Sequence, residues 1–263
     1  ANGTSGGRPQ VNYGLISDQI LDIWKTQDTR HKYWHGQWYI YDNLYYRMTT
    51  SSDFECRMRK VMTELGIIAN NNMVSNVMRD LESKCYLSDS LHSPCWTDSN
   101  TSADGWMLLK DRLVCVSKLA KSVGGEEIPD EEIFRPATHH LFSTLHMDYS
   151  YDPDATCPKW LKYVSEVQPN AKDQELLQML FGLCLIQDTS YNVFFLLTGE
   201  GGCGKSVFGH VLTKIVGSAN TCCVPISNFT SRFLTWPLAS HLLNFVPDMK
   251  SAEYGRSDNA EGI

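Results

Sequence analysis

The sequence predicts an α/β chain in two parts, a mixed α+β region followed by a strand–loop–helix core. Three observations carry that prediction. The first is the stretch VFFLLTGEGGCGKSV (Val193–Val207), where a buried-strand pattern runs through a glycine-rich loop into a helical one. The second is a change of rhythm near Pro153, from short aromatic and β-branched runs to longer helical stripes. The third is HLLNFVPDM (His241–Met249), an apolar run that ends on an acid, Asp248.

The chain has 263 residues, enough for one large domain or two ordinary ones. Hydrophobic residues make up 42% and charged residues 20%, the composition of a globular protein. No apolar run approaches the ~18–20 residues of a membrane span, and ANGTSGGRPQ lacks the charged and apolar regions of a signal peptide. Residues 1–13 read as a flexible linker or tail, a Gly/Ser/Asn-rich run that starts on Ala1 rather than Met. The nine cysteines are scattered and include no C-x-x-C pair, which argues against a disulfide framework and for a reducing, cytoplasmic setting. His92-x-x-Cys95 with Cys85 upstream is the nearest approach to a zinc pattern, and it reads as ordinary thiols. A net charge of −7 argues against DNA binding over the whole surface, though a few basic residues lining a pore or groove could still hold DNA.

Ser17 reads as the N-cap of a short helix to about Gln27, with Ile20, Leu21, Ile23 and Trp24 on its apolar face. In YWHGQWYIYDNLYYRM (Tyr33–Met48), Gly36 and Asp42-Asn43 punctuate aromatic runs, the pattern of an antiparallel meander. Its tyrosines and tryptophans read as filling for a thin sheet in preference to a base-stacking platform, because no basic residue interleaves before Arg47. Ser52 is the expected cap of a helix running to Leu65, with Gly66 past its end, and Met73–Leu81 forms a second helix. A polar loop is expected over Ser88–Gly105, a strand pair turning at Asp111 over Trp106–Val116, and an acidic loop over Gly124–Pro136. Pro158 opens a helix, and Asp173–Leu185 forms another with a broad apolar face. A buried strand over Val193–Thr198 and a helix through Val207, Val211, Leu212 and Ile215 to Gly217 then flank the glycine loop.

That loop, Gly199-Glu200-Gly201-Gly202-Cys203-Gly204-Lys205-Ser206, is a complete G-x-x-x-x-G-K-[ST] between a strand pattern and a helix pattern. Glycines let backbone N–H groups turn inward around phosphates, and a helix N-terminus adds partial positive charge. Lys205 would reach the β- and γ-phosphates of ATP, and the Ser206 hydroxyl would ligate Mg²⁺. Asp248, a short interval beyond Lys205, is the expected metal carboxylate, with Glu253 the nearest spare acid.

GEGGCGKS, the short interval, LLNFVPDM and the closing DNAEGI together resemble superfamily 3 helicases. The specific likeness is to the phage and plasmid primase–helicase family and its poxvirus relatives. HGQWYIYDNLYYRM, WMLLKDRLVCV, LHMDYSYDPDATCPKWLKYV and QELLQMLFGLCL resemble the accessory domain of that family. The resemblance implies a truncated P-loop AAA+-like three-layer ATPase core at 153–263, preceded by a mixed α+β accessory domain at 14–152. It implies an ATP-driven, Mg²⁺-dependent helicase acting on single-stranded or forked DNA, hexameric when full length, with a linked primase domain possible upstream and the host cytoplasm as its place of work. Phosphate binding carries over to Gly199, Gly204, Lys205 and Ser206, and metal binding to Asp248. The family often has asparagine where this chain has Cys203, and its polar sensor, arginine finger and DNA-contacting hairpin would follow Ile263. A non-translocating, ATP-binding replication scaffold is the alternative. A P-loop small-molecule kinase fits less well, since such kinases usually begin with the loop.

Overall fold

The computed structural model describes residues 11–186, 190–230 and 234–247. In chain order the elements are α1 (Tyr13–Thr26), β1 (His31–Trp34), β2 (Gln37–Tyr41), β3 (Tyr46–Thr49), α2 (Ser51–Glu64) and α3 (Asn71–Lys84). Next come β4 (Cys95–Trp96), β5 (Thr101–Ser102), β6 (Trp106–Leu108), β7 (Arg112–Cys115), α4 (Val116–Val123), α5 (Asp130–Ile133), β8 (Phe134–Pro136) and β9 (Leu141–Phe142). The remainder are α6 (Pro158–Val167), α7 (Ala171–Leu183), α8 (Lys205–Val216), β10 (Thr221–Cys222) and β11 (Leu243–Asn244). Two compact units result: Ala1–Ser102 with Thr138–Thr144, and Ala103–Ala137 with Leu145–Ile263. Compactness thus groups 103–137 and 145–152 with the loop-bearing segment, whereas the sequence motifs change character near Pro153.

In the first unit the meander forms as the punctuation predicts. His35 and Gly36 both take positive φ, 48° and 72°, in the two-residue turn between Trp34 and Gln37. Trp38 points from the sheet into the helical core, stacked on Phe54 of α2 with ring centroids 3.5 Å apart. Tyr39, Tyr41 and Tyr46 pack instead with Phe142 of β9 and Cys95 of β4. Both sets are buried, so these aromatics are core.

Helix α1 starts earlier than its sequence signal suggests. Asn12 has the extended backbone of an N-cap and its side chain accepts from the Leu15 N–H at 3.1 Å. Ser17 is buried within the helix, its hydroxyl donating to the Tyr13 carbonyl, and is not the cap. Thr50, two residues ahead of Ser52, caps α2 through the Asp53 N–H. The expected polar loop over Ser88–Gly105 carries β4 and β5, because β4 finds β9, distant in sequence, as its second partner.

In the second unit β6 and β7 pair as a hairpin with Leu108 opposite Leu113. The acidic stretch Gly124–Pro136 is not simply a loop: Ile133 is buried, and Phe134 pairs with Val114 to add β8 to the sheet. Ile133, with Ile128 and Phe134 packed beside it, docks the segment on Leu109, Val114 and Met147. Helices α7 and α8 share a core of Leu180, Cys184, Phe208, Leu212 and Val216.

The strand expected over Val193–Thr198 is absent. The segment is irregular and exposed, with Phe194 at 83% of its full accessibility. A strand exists by pairing, and among the described residues no ladder runs alongside this one; apolarity marks a segment for burial but supplies no partner. Of the apolar run His241–Met249, Leu243 and Asn244 form β11, parallel to β10. The described residues therefore make a mixed α/β molecule of small antiparallel sheets and one short parallel pair, without a three-layer core. No helix among them is long and apolar enough to cross a membrane.

Candidate phosphate-binding loop

Helix α8 begins at Lys205, directly after its N-cap Gly204, which sits at φ 97° in the left-handed region. That conformation turns the incoming chain so that the loop curls over the helix N-terminus. Lys205 folds back into the curl. Its ammonium donates to the Gly199 carbonyl at 2.7 Å, the Glu200 carbonyl at 2.9 Å and the Cys203 sulfur at 3.3 Å. An ammonium has three donors, so the loop satisfies all of them itself. A Cβ on Gly199 would lie 2.8 Å from Cys203 Sγ, so the loop closes this tightly only over glycine. Gly201 and Gly202 meet nothing within 4 Å and form the open rim.

The Cys203 thiol is exposed, and its pKa is held below the ordinary thiol value, chiefly by the hydrogen bond from Lys205. Glu200 is exposed on the rim. Ser206 is exposed on the first turn of α8. The sequence-predicted residues Gly199 through Ser206 are thus gathered at one helix end. Asp248 and Glu253 lie outside the described residues.

Several residues that shape this region carry no sequence signal. Tyr163 of α6 donates its hydroxyl to the Gly204 carbonyl at 2.8 Å. Gly209 of α8 lies so close to Phe245 that a Cβ there would enter the ring. Asn244 of β11 extends the parallel pairing with its side chain, accepting from the Val224 N–H at 2.7 Å and donating to its carbonyl at 2.9 Å. Buried Asn220 donates to the Val216 carbonyl at the end of α8 and to the His146 carbonyl, both at 2.7 Å. All four are contacts across elements. Two surface clefts, about 570 Å³ along Ser122 and Gly125–Pro129 and about 470 Å³ near Gln27–Thr29 and Arg57, do not involve the loop.

The fold and this loop define a mixed α/β protein with a glycine-rich, lysine-closed turn at a helix N-terminus. Residues 197–262, which take in that loop, α8, β10 and β11, match a family described as a family of unknown function (DUF5906). No curated protein matches the chain.

Proposed function

We propose that the chain is the ATPase-bearing part of a DNA helicase of the phage or mobile-element primase–helicase kind. The observation that carries this reading is the gathering of Gly199, Gly204, Lys205 and Ser206 at the N-terminus of α8. The loop fits a polyphosphate: its close approach at Gly199 excludes a side chain, its rim is open at Gly201 and Gly202, and its one cation is held only by uncharged acceptors and a thiol. Mg·ATP would supply a phosphoanhydride for hydrolysis. Lys205 would exchange the Gly199 and Glu200 carbonyls for the β- and γ-phosphates, a gain because bonds to charged oxygens are stronger. Loop N–H groups from Glu200 to Cys203 would line the phosphates, Ser206 would ligate Mg²⁺, and Asp248 would hold the metal's water shell.

The finer fold goes with this proposal. In an AAA+-like core Val193–Thr198 would become a sheet strand beside further strands, in a hexamer working on single-stranded or forked DNA in the host cytoplasm, with a primase domain linked upstream. The exposure of Val193–Leu196 favours a second reading, a replication scaffold that binds ATP without translocating. DNA-stimulated ATP turnover by the wild type separates the two. The loop itself is tested by Lys205→Ala, which is expected to abolish ATP binding and turnover while the circular dichroism of the fold is retained. Wild-type turnover in that variant would sink the assignment.

A further inference from the structure

Tyr163 touches the loop from an element 41 residues away in sequence. Its ring is anchored through a chain of aromatic contacts that starts at Trp160. Trp160 of the same helix stacks on it, centroids 5.3 Å apart, and Trp160 packs on Phe181 of α7 at 5.2 Å, which meets Phe208 of α8 edge-on at 5.2 Å. The hydroxyl therefore has a fixed place beside Gly204. A Cβ on that glycine would lie 3.0 Å from the Tyr163 oxygen, 3.1 Å from its Cε2 and 3.2 Å from Val167 Cγ1.

The Gly204 carbonyl accepts from the N–H groups of Val207 at 2.9 Å and Phe208 at 3.1 Å, so it points along α8. Tyr163 adds the one donor that comes from another element. In a trans peptide C=O and N–H point in opposite directions. Anchoring the Gly204 oxygen therefore aims the Lys205 N–H out of the helix end, towards the mouth of the loop. Glycine has the largest conformational freedom to lose, and a phosphate arriving at an unanchored Gly204 would have to supply that ordering itself.

We propose that Tyr163 is a positioning residue for phosphate binding, its hydroxyl fixing the Gly204–Lys205 peptide in the binding geometry before ligand arrives. The proposal rests on reading Gly199–Ser206 as a phosphate loop. Tyr163→Phe keeps the ring and removes only the donor. Dissociation constants are measured for Mg·ATP and for inorganic tripolyphosphate, a probe without base or sugar, alongside hydrogen exchange of the Val207 and Phe208 amides, which bond the Gly204 carbonyl, in ligand-free protein. The expected result is about five-fold weaker binding of both ligands, the scale of one hydrogen bond, with faster exchange at Val207 and Phe208 and little change in melting temperature.

Unchanged affinity for both ligands, with Lys205→Ala still abolishing binding, would overturn the role of Tyr163 and leave the loop reading standing. A lowered melting temperature with unchanged affinity would reduce Tyr163 to packing. Loss for ATP but not for tripolyphosphate would place its effect on the nucleoside, and also overturns the proposal. If neither the wild type nor Lys205→Ala binds either ligand, the loop reading itself fails. A fluorotyrosine at position 163, whose more acidic phenol is a better donor, supplies a test that needs no deletion: tighter binding of both ligands is expected, and no change counts against the proposal.

Discussion

Cys203 is the residue on which the chemistry of the loop converges. Its sulfur takes a bond from the Lys205 ammonium and lies against Gly199, in the space a phosphate oxygen would occupy under the proposed function. The thiol's lowered pKa means that the reactive thiolate persists to lower pH than in an ordinary cysteine. Maleimide labelling of Cys203 should therefore continue at pH values where an ordinary thiol has become unreactive. Lys205→Ala, which removes the largest cause of the shift, should move that pH profile upwards. Prebound Mg·ATP should protect the thiol, labelling should lower nucleotide affinity, and Cys203→Asn should bind nucleotide and lose the sensitivity. A labelling rate indifferent to ATP would mean that the sulfur does not face the phosphates.

At the scale of elements, α8 is held by a contact that leaves no room. Gly209 meets the Phe245 ring just beyond β11, and this contact sets how closely β11 approaches the helix that begins at the loop. Gly209→Ala should destabilise the protein by about 1–3 kcal/mol, the usual cost of overpacking. Gly182 in α7 is the control: it is exposed, nothing lies within 4 Å of its built Cβ, and alanine there should stabilise by about 0.5–1 kcal/mol. Thermal melts of the two variants should move in opposite directions; a stabilising Gly209→Ala would show that Phe245 yields freely. The same contrast explains what the sequence made legible. The meander, the Pro158 start of α6 and the glycine turn into α8 rest on local signals of turn residue, cap and period. The exposed run at 193–198, the pairing of β4 with β9, and the hold of Tyr163 on Gly204 each depend on a partner distant in the chain. A stripe of apolar residues does not say which surface will cover it, and for Val193–Thr198 it suggested a burial that the described residues do not provide.

At the scale of the molecule, pH should act on the first unit through His31. This histidine opens β1, is buried against Trp24 and Phe54, and has no hydrogen-bond partner at either ring nitrogen among the described residues. Burial, reinforced by the nearby Arg57 charge, lowers its pKa from 6.5 to about 3. The unfolded chain consequently takes up a proton first as pH falls. The contribution of His31 to stability is whole above pH 6.5 and is lost progressively from there towards pH 3. Melting temperatures taken across that window should fall for the wild type and fall less for His31→Phe, which keeps a ring in the same place. Equal slopes would show that the ring is not buried in its neutral form.

The first unit also has an order of assembly written into its topology. Its last strand, β9, is encoded after Ala103–Ala137, all of which belongs to the other unit. A ribosome adds about 5–20 residues per second. For some seconds after β4 has emerged, then, Tyr39, Tyr41, Tyr46 and Cys95 wait without Phe142 to cover them. The nascent chain spends that interval with an aromatic sheet face uncovered, a surface for chaperones or for neighbouring nascent chains, until Thr144 leaves the exit tunnel and the unit can close.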